Sequence, residues 1–405
     1  MRPRFVYFIS LRLLTRLSDS ACPGSRPIPW AAAACLLLFT SCSQPGEGRK
    51  DASAPVAEKE ADPAAEAVEA QTGEEAGALE APLDILHGDA PDIPPYVPAG
   101  VDRDASLAEW NDILEAGSTE RILAEGQILW GKTKIRVKEM LRFGEGVKRV
   151  LFVCDLRDGE RTIKAQLKVS QQNYHEWKSE LHAYTLGRRI GLALPPVVMR
   201  PLSRKEMQRL AARMAPEDFE LITWSGKNAG FAKASLRYWV ETLSPRTVGG
   251  TLADEAYMMA IAQSLHPANR DAIQADVPIY LDVGRAFVFD YLIYNNDRAR
   301  NLGSISLPDG SDRLILFDHG LAFGVEGQSK KSAITYVEAM QMMPSDVIDH
   351  LRSLTDPELQ SLVGTGAPAG AGLSDKIVSQ IWERRDVILE KTDDLVAVYG
   401  PLALY

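Results

Sequence analysis

Cysteine is scarce where a fold would use it. Of the four cysteines, Cys22, Cys35 and Cys42 stand near the N-terminus, and Cys154 is alone in the rest of the chain. One thiol there excludes an intrachain disulfide and a cysteine-based zinc site. The apolar run from Trp30 to Phe39 is shorter than the roughly 20 residues of a membrane-spanning helix. Basic residues are outnumbered, with 45 Lys and Arg against 55 Asp and Glu and a net charge of −10, which argues against nucleic acid as a partner. No internal repeat is present, and no glycine-rich phosphate loop stands out, since Gly144 and Gly146 in RFGEGV make only a weak match.

The N-terminus instead carries targeting signals. Arg2, Arg4, Arg12, Arg16 and Arg26 precede the apolar run, which is the pattern of a secretion signal. The run ends Phe39-Thr40-Ser41-Cys42, small residues leading into a cysteine, which resembles a bacterial lipobox with Cys42 as the lipidated residue. Residues 1–42 are therefore expected to be a signal peptide, and the protein to be extracytoplasmic and lipid-anchored to a bacterial membrane. Residues 43–101 are rich in Ala, Glu, Pro and Gly, with Glu58, Glu60, Asp62, Glu74 and Glu75 among them. Such a segment buries too little apolar surface to offset its ordering entropy, so a disordered acidic tether is expected. The roughly 300 residues that follow suffice for a large core without crosslinks.

Residues 102–245 read as strand-rich. Strand-like runs fall at Gln127–Trp130, Thr133–Val137, Arg149–Cys154 and Thr162–Val169, with Asp158-Gly159 as a hairpin turn. On the last run Ile163, Ala165, Leu167 and Val169 alternate with Thr162, Lys164, Gln166 and Lys168, so both lysines share the face opposite the core. Such lysines either reach phosphates or line a solvated edge. A helix from Tyr174 to Ile190 sets Trp177, Leu181 and Tyr184 at helical spacing, with Glu180 on the same inward side. A carboxylate there requires a cationic partner. Ser203 and Glu206 form a capping box for the next helix. Ser235–Leu243 is expected to be a strand running into a hinge.

Residues 246–405 read as helical, with segments at Leu252–Leu265, up to Ile293, Ile334–Met343, Ser345–Leu351 and Ser374–Leu389. Between them lies FVFDYLIYNNDRARNLGSISLPDGSDRLILFDHGLAFG, from Phe287 to Gly324. An apolar segment gives way to Asn295, Asn296 and Asp297. A hairpin follows around Pro308–Ser311, and its second strand ends on Asp318. Carboxylate and amide oxygens are the hard ligands that magnesium prefers, so two aspartates and Asn301 in this order fit phosphoryl transfer. Asp297 would orient an acceptor hydroxyl, and Asn301 and Asp318 would hold the metal. Arg298 and Arg300 read as structural, and His266, His319 and His350 as core or surface residues.

NNDRARN followed by LFDHGLAFG resembles the atypical kinases of the secretory pathway, of the Golgi casein kinase and four-jointed type, whose core pattern is shared with HipA-like and lipid kinases. The string from Lys168 through Glu180 to Val198 resembles the same family. Here Ala299 stands where the family commonly has His, and Asn301 lies one residue nearer to Asp297. The resemblance implies an α+β, bilobal, protein-kinase-like fold, with residues 102–245 as N-lobe and 246–405 as C-lobe. It selects Lys168 over Lys164 as the partner of Glu180, and sets Glu241 to Leu243 along an adenine pocket. It further implies ATP with Mg²⁺ or Mn²⁺ as cofactors, and a hydroxyl of a protein or a sugar as acceptor. The alternative is a catalytically inactive pseudokinase, or a surface lipoprotein that binds a nucleotide or another ligand.

Overall fold

The computed structural model describes residues 102–142, 145–172, 176–226, 230–324, 332–368 and 370–405. The leader with Cys42 and the acidic tether lie outside the described residues.

The described residues begin with helices α1 (Arg103–Leu114) and α2 (Gly117–Glu125), followed by strands β1 (Gln127–Ile128), β2 (Lys134–Arg142), β3 (Glu145–Asp158) and β4 (Arg161–Val169). Helix α3 (Glu176–Arg189) comes next, then β5 (Val197–Met199), α4 (Arg204–Ala211) and β6 (Ala234–Tyr238). These strands form one sheet in the order β1-β3-β4-β6-β5, with β2 paired to β3. Gly159 has φ of 59°, which a tight β3–β4 turn requires and glycine permits. Helix α4 starts on the expected capping box, Ser203 and Glu206 exchanging side-chain and backbone bonds.

The register explains why this sheet has two unlike faces. Leu151 pairs with Lys168, Lys168 with Ser235, and Gln166 with Arg237, so these residues share one face. The other face carries Phe152, Cys154, Ile163, Ala165, Leu167 and Leu236, buried in one cluster with Ile113, Ile122 and Leu123 of α1 and α2 and Met207 and Leu210 of α4. A sheet covered on that side turns its polar face toward the rest of the molecule. Alternation alone would leave the lysine face in water, yet Lys168 is 2 % exposed.

The second half is helical: α5 (Glu255–Ser264), α6 (Ile279–Ile293), α7 (Ser332–Ala339), α8 (Ser345–Ser353), α9 (Asp356–Val363) and α10 (Asp375–Tyr399). Phe287, Val288, Phe289, Leu292 and Ile293 are all inaccessible, as expected of a helix apolar around its whole circumference and therefore central. Trp177, Leu181 and Tyr184 of α3 join this same core, so α3 links the sheet to the helical lobe. Helix α10 continues to Tyr399, beyond the expected end at Leu389, because Thr392 and Leu395 keep its buried stripe going. Among the described residues no helix is long and apolar enough to cross a membrane.

Between α6 and α7 lies the hairpin of strands Leu302–Ser306 and Asp312–Leu316, named β7 and β8, with Leu302 opposite Leu316 and Ser306 opposite Asp312. Ile305 and Ile315 pack into the sheet-side core, whereas Leu302, Leu314 and Leu316 pack into the helical core. The hairpin thus bridges the two cores. The architecture is α+β with a strand-rich first lobe and a helical second lobe, the division expected from the sequence.

Candidate active site

Helix α6 ends on Tyr294 in the left-handed conformation, φ 56°, which turns the chain sharply and closes the helix through a bond from the Tyr294 N–H to the Asp290 carbonyl. The turn keeps Asn295 buried and leads Asn296 and Asp297 out to half-buried positions. What holds the loop is buried and ionic. Arg298 donates from Nε and Nη2 to the two carboxylate oxygens of Asp290, both at 2.7 Å, and from Nη1 to the Asn301 carbonyl at 2.6 Å. Asn295 adds a bond to Asp290 at 3.0 Å. Arg298 is therefore structural, as its flanking position suggested, while Arg300 is exposed.

Asp297 sits half-buried on this loop. Asn301 Nδ2 donates to its carbonyl at 2.9 Å and to its Oδ2 at 3.0 Å, which leaves the amide Oδ1 as the atom to meet a cation. The Phe317 N–H bonds the Asn301 carbonyl at 3.1 Å and brings the end of β8 alongside the loop. Burial pushes the Asp297 carboxyl up, the Asn301 bond lowers it, and the nearby charge of Asp318 raises it again. The sequence-selected Asp297, Asn301 and Asp318 are thus brought together.

Asp318 has φ of 56°, a left-handed backbone that Asp tolerates better than most residues. Its side chain turns to the sheet. Lys168 Nζ donates to Asp318 Oδ1 and to Glu180 Oε1, both at 2.5 Å. The pairing of Lys168 with Glu180, selected by resemblance, is present, and Glu180 is inaccessible to solvent. Burial by itself raises the Glu180 carboxyl; the charges of Lys168 and Arg237 outweigh that and hold it well below the usual carboxylate range. Burial likewise raises the Asp318 carboxyl, and Lys168 more than offsets it.

The sequence reading missed three residues of this cluster, Glu176, Arg149 and Arg237. Glu176, one turn before Glu180 on α3, lies 3.6 Å from Lys168 and is ion-paired with Arg149 of β3. Arg237 of β6 stands 3.9 Å from Glu180. Glu176 carried a readable signal, being four residues from Glu180 and so on the same helix face. The cations come from distant strands, which spacing cannot pair. Gly320 faces the cluster so closely that a Cβ there would lie 2.9 Å from Lys168 Nζ.

A pocket of about 140 Å³ opens where β6 ends, lined by Pro195, Arg237, Trp239, Leu243, Ile315 and Phe317 among others. Leu243 is one of the lining residues. Glu241 does not line the pocket; its carboxylate is drawn to Lys164, whose own carbonyl accepts the Trp239 N–H. The strand itself stops at Tyr238, because the N–H groups of Glu241 and Thr242 turn to the Glu109 carboxylate of α1, at 2.7 and 2.9 Å, instead of to a neighbouring strand.

Among the described residues no three His, Cys, Asp or Glu side chains gather into a metal site. The donors present are the Asp318 carboxylate and the amide oxygen of Asn301. That suits magnesium or manganese, which is held by one or two carboxylates with the remaining ligands from phosphate and water.

No protein-family model matches the chain, and no curated protein matches it. Among solved structures, the chain is similar to a hydra Fam20 solved with sugar, at 15% identity, with 73% of this chain and 96% of that one covered and a TM-score of 0.49. The Golgi casein kinase with Mn/ADP bound covers 73% of this chain and 82% of its own, at 16% identity and a TM-score of 0.48. A second Golgi casein kinase structure, at 16% identity, covers 75% of this chain and 78% of its own with a TM-score of 0.46.

Proposed function

We propose that this protein is an atypical kinase that transfers the γ-phosphoryl group of a nucleoside triphosphate, read from the sequence as ATP, to a hydroxyl of a protein Ser or Thr or of a sugar. The observation that carries the reading is the single ammonium of Lys168 bridging Glu180 of α3 and Asp318 of the helical lobe. That arrangement ties the sheet of the first lobe to the turn after β8, which a backbone bond from Phe317 to Asn301 sets beside the loop carrying Asp297. Phosphoryl transfer asks a protein chiefly for positioning and charge neutralisation, and these groups supply both.

In this reading Asp297 accepts the proton of the acceptor hydroxyl and orients it, with its carboxylate raised by burial toward a useful basicity. Lys168, held by Glu180, positions the nucleotide phosphates. Asn301 and Asp318 would hold Mg²⁺ or Mn²⁺, which when bound neutralises phosphate charge. Leu243 lines the base pocket. Residues 1–42 and 43–101 would act as lipidated leader and tether, with the lipid on Cys42, placing the domain at an extracytoplasmic membrane surface.

A second reading, nucleotide binding without transfer, is favoured by Ala299 in place of histidine beside Asp297. The test is phosphate transfer by the purified full chain, with labelled ATP and Mg²⁺ or Mn²⁺, beside an Asp318→Ala variant. Transfer lost in the variant while its fold is kept supports the kinase; equal transfer in both refutes the assigned site. A nucleotide-dependent rise in melting temperature with no transfer at all supports the second reading.

A further inference from the structure

A second cavity, of about 600 Å³, lies at the start of β2, with Val153 and Trp239 among its walls. Trp239 also lines the pocket at the end of β6, so the two hollows adjoin. The register places the cavity on the same face of the sheet as Lys168: Arg136 pairs with Leu151 and Leu151 with Lys168, and Lys134, two residues before Arg136, shares that face.

Its lining is basic. Lys132, Lys134, Arg136, Lys164 and Arg213 bring five cations, against the single carboxylate of Asp155. Existing pairs leave most of that charge uncompensated. Lys132 stands 3.7 Å from Asp155 and Lys164 is drawn to Glu241, both in pairs that solvent reaches, where an ion pair contributes little. Arg213 directs its N–H groups to the carbonyls of Trp130, Gly131 and Thr133, which fixes the turn that leads into β2. Lys134 and Arg136 are exposed, and among the described residues neither has a carboxylate partner. The Arg136 guanidinium lies over the Trp239 ring, 5.7 Å from ring centre to carbon, so it is steadied at the cavity while its N–H groups stay open to a ligand.

We propose that this cavity binds a phosphate-bearing small molecule from solution. Three positive charges remain once Asp155 and Glu241 are set against the five cations, and a concave surface of one sign focuses its potential on an incoming anion. A phosphate group carries nearly two charges on one compact tetrahedron, and guanidinium and ammonium donors bond its oxygens strongly. A single carboxylate would leave most of the excess in place. The volume is in the range of small-molecule sites, about 300–1,000 Å³. None of these cations belongs to the Lys168 cluster, so the site stands whether or not the chain transfers phosphate.

Titration calorimetry of the full chain with inorganic pyrophosphate, without nucleotide or divalent metal, tests this. Pyrophosphate is expected to bind, more weakly as KCl is raised. The Lys134→Gln/Arg136→Gln double variant, altered only at exposed side chains, is expected to keep the Tm of the unaltered chain and to bind at least about tenfold more weakly. Absence of binding to the unaltered chain overturns the proposal, and so does undiminished binding to the double variant. A parallel titration of Lys168→Met locates the anion in that last case, since loss there places it in the nucleotide site instead.

Discussion

Lys168 Nζ stands 2.5 Å from Asp318 Oδ1, so one ammonium joins a strand of the first lobe to the turn that follows β8 in the second. The same nitrogen meets Glu180 at 2.5 Å and Glu176 at 3.6 Å.

Three carboxylates gathered around a buried cation make that cation structural as well as chemical. Lys168→Met keeps the aliphatic stem and removes the charge, leaving Glu180 inaccessible and short of its main partner. Removing one member of a buried pair costs about 3–5 kcal/mol. Urea unfolding of the variant is expected to show a loss of that size, and Glu180→Gln on the same background to restore part of it. A change below about 0.5 kcal/mol would contradict the arrangement.

Under the proposed kinase reading, Asp297 would serve the chemistry and not nucleotide binding. Asp297→Asn keeps the shape and the bond partner of Asn301 but removes the base. Turnover is expected to fall by roughly 10²- to 10⁴-fold with nucleotide affinity unchanged, as read from kcat and from direct binding. Equal losses in both would make Asp297 a positioning residue only.

The loop is held from beneath by Asp290, whose two oxygens each take a bond from Arg298 at 2.7 Å. Asp290→Ala strands a guanidinium that is 3 % exposed. A stability loss of about 3–5 kcal/mol is expected in chemical denaturation, with transfer activity lost in the folded fraction as the loop moves. Arg298→Lys keeps the charge and loses the fork, so it is expected to fall between wild type and Asp290→Ala.

Acid should weaken the fold through His182. This ring is buried, its Nε2 sits 2.7 Å from the Ala371 carbonyl, and burial holds its pKa below the ordinary value despite that bond. The unfolded chain, titrating near about 6.5, therefore takes up a proton before the folded one does. Stability is full above about 6.5 and declines as the pH falls from there toward the depressed folded value, by at most about 1.4 kcal/mol per pH unit for this one group. His182→Asn is expected to make the acid decline in Tm shallower and to leave the dependence above neutrality unchanged. An identical pH profile would show that His182 does not contribute.

How far the site was legible from sequence depends on the range of each interaction. The alternation in 161–169, the inward face of 176–189 and the hairpin around Gly310 are local, and each forms as read. Asp297, Asn301 and Asp318 could be grouped because a short hairpin is the only thing between them. Arg149 and Arg237 could not, since nothing in their own strands says that each faces a glutamate of α3. Glu109 was equally silent: a carboxylate in an N-terminal helix gives no sign that it ends on the hinge. Glu241 is set at the pocket only by the kinase resemblance, and its carboxylate pairs instead with Lys164, whose carbonyl accepts the Trp239 N–H. Burial also changed the meaning of the lysine face, which alternation leaves solvated and tertiary packing covers.

The left-handed backbone of Asp318 restricts what genetic drift can do at this position. A φ of 56° is entered with little strain by Asp, Asn and Gly and resisted by branched or bulky residues. Starting from aspartate, only asparagine and glycine leave the turn relaxed. Asparagine would keep an oxygen at the site but discard its charge, and glycine would strip the site bare. Both replacements therefore spare the backbone while removing the charge that Lys168 meets across the lobes, and they differ in whether a cation would still find an oxygen there.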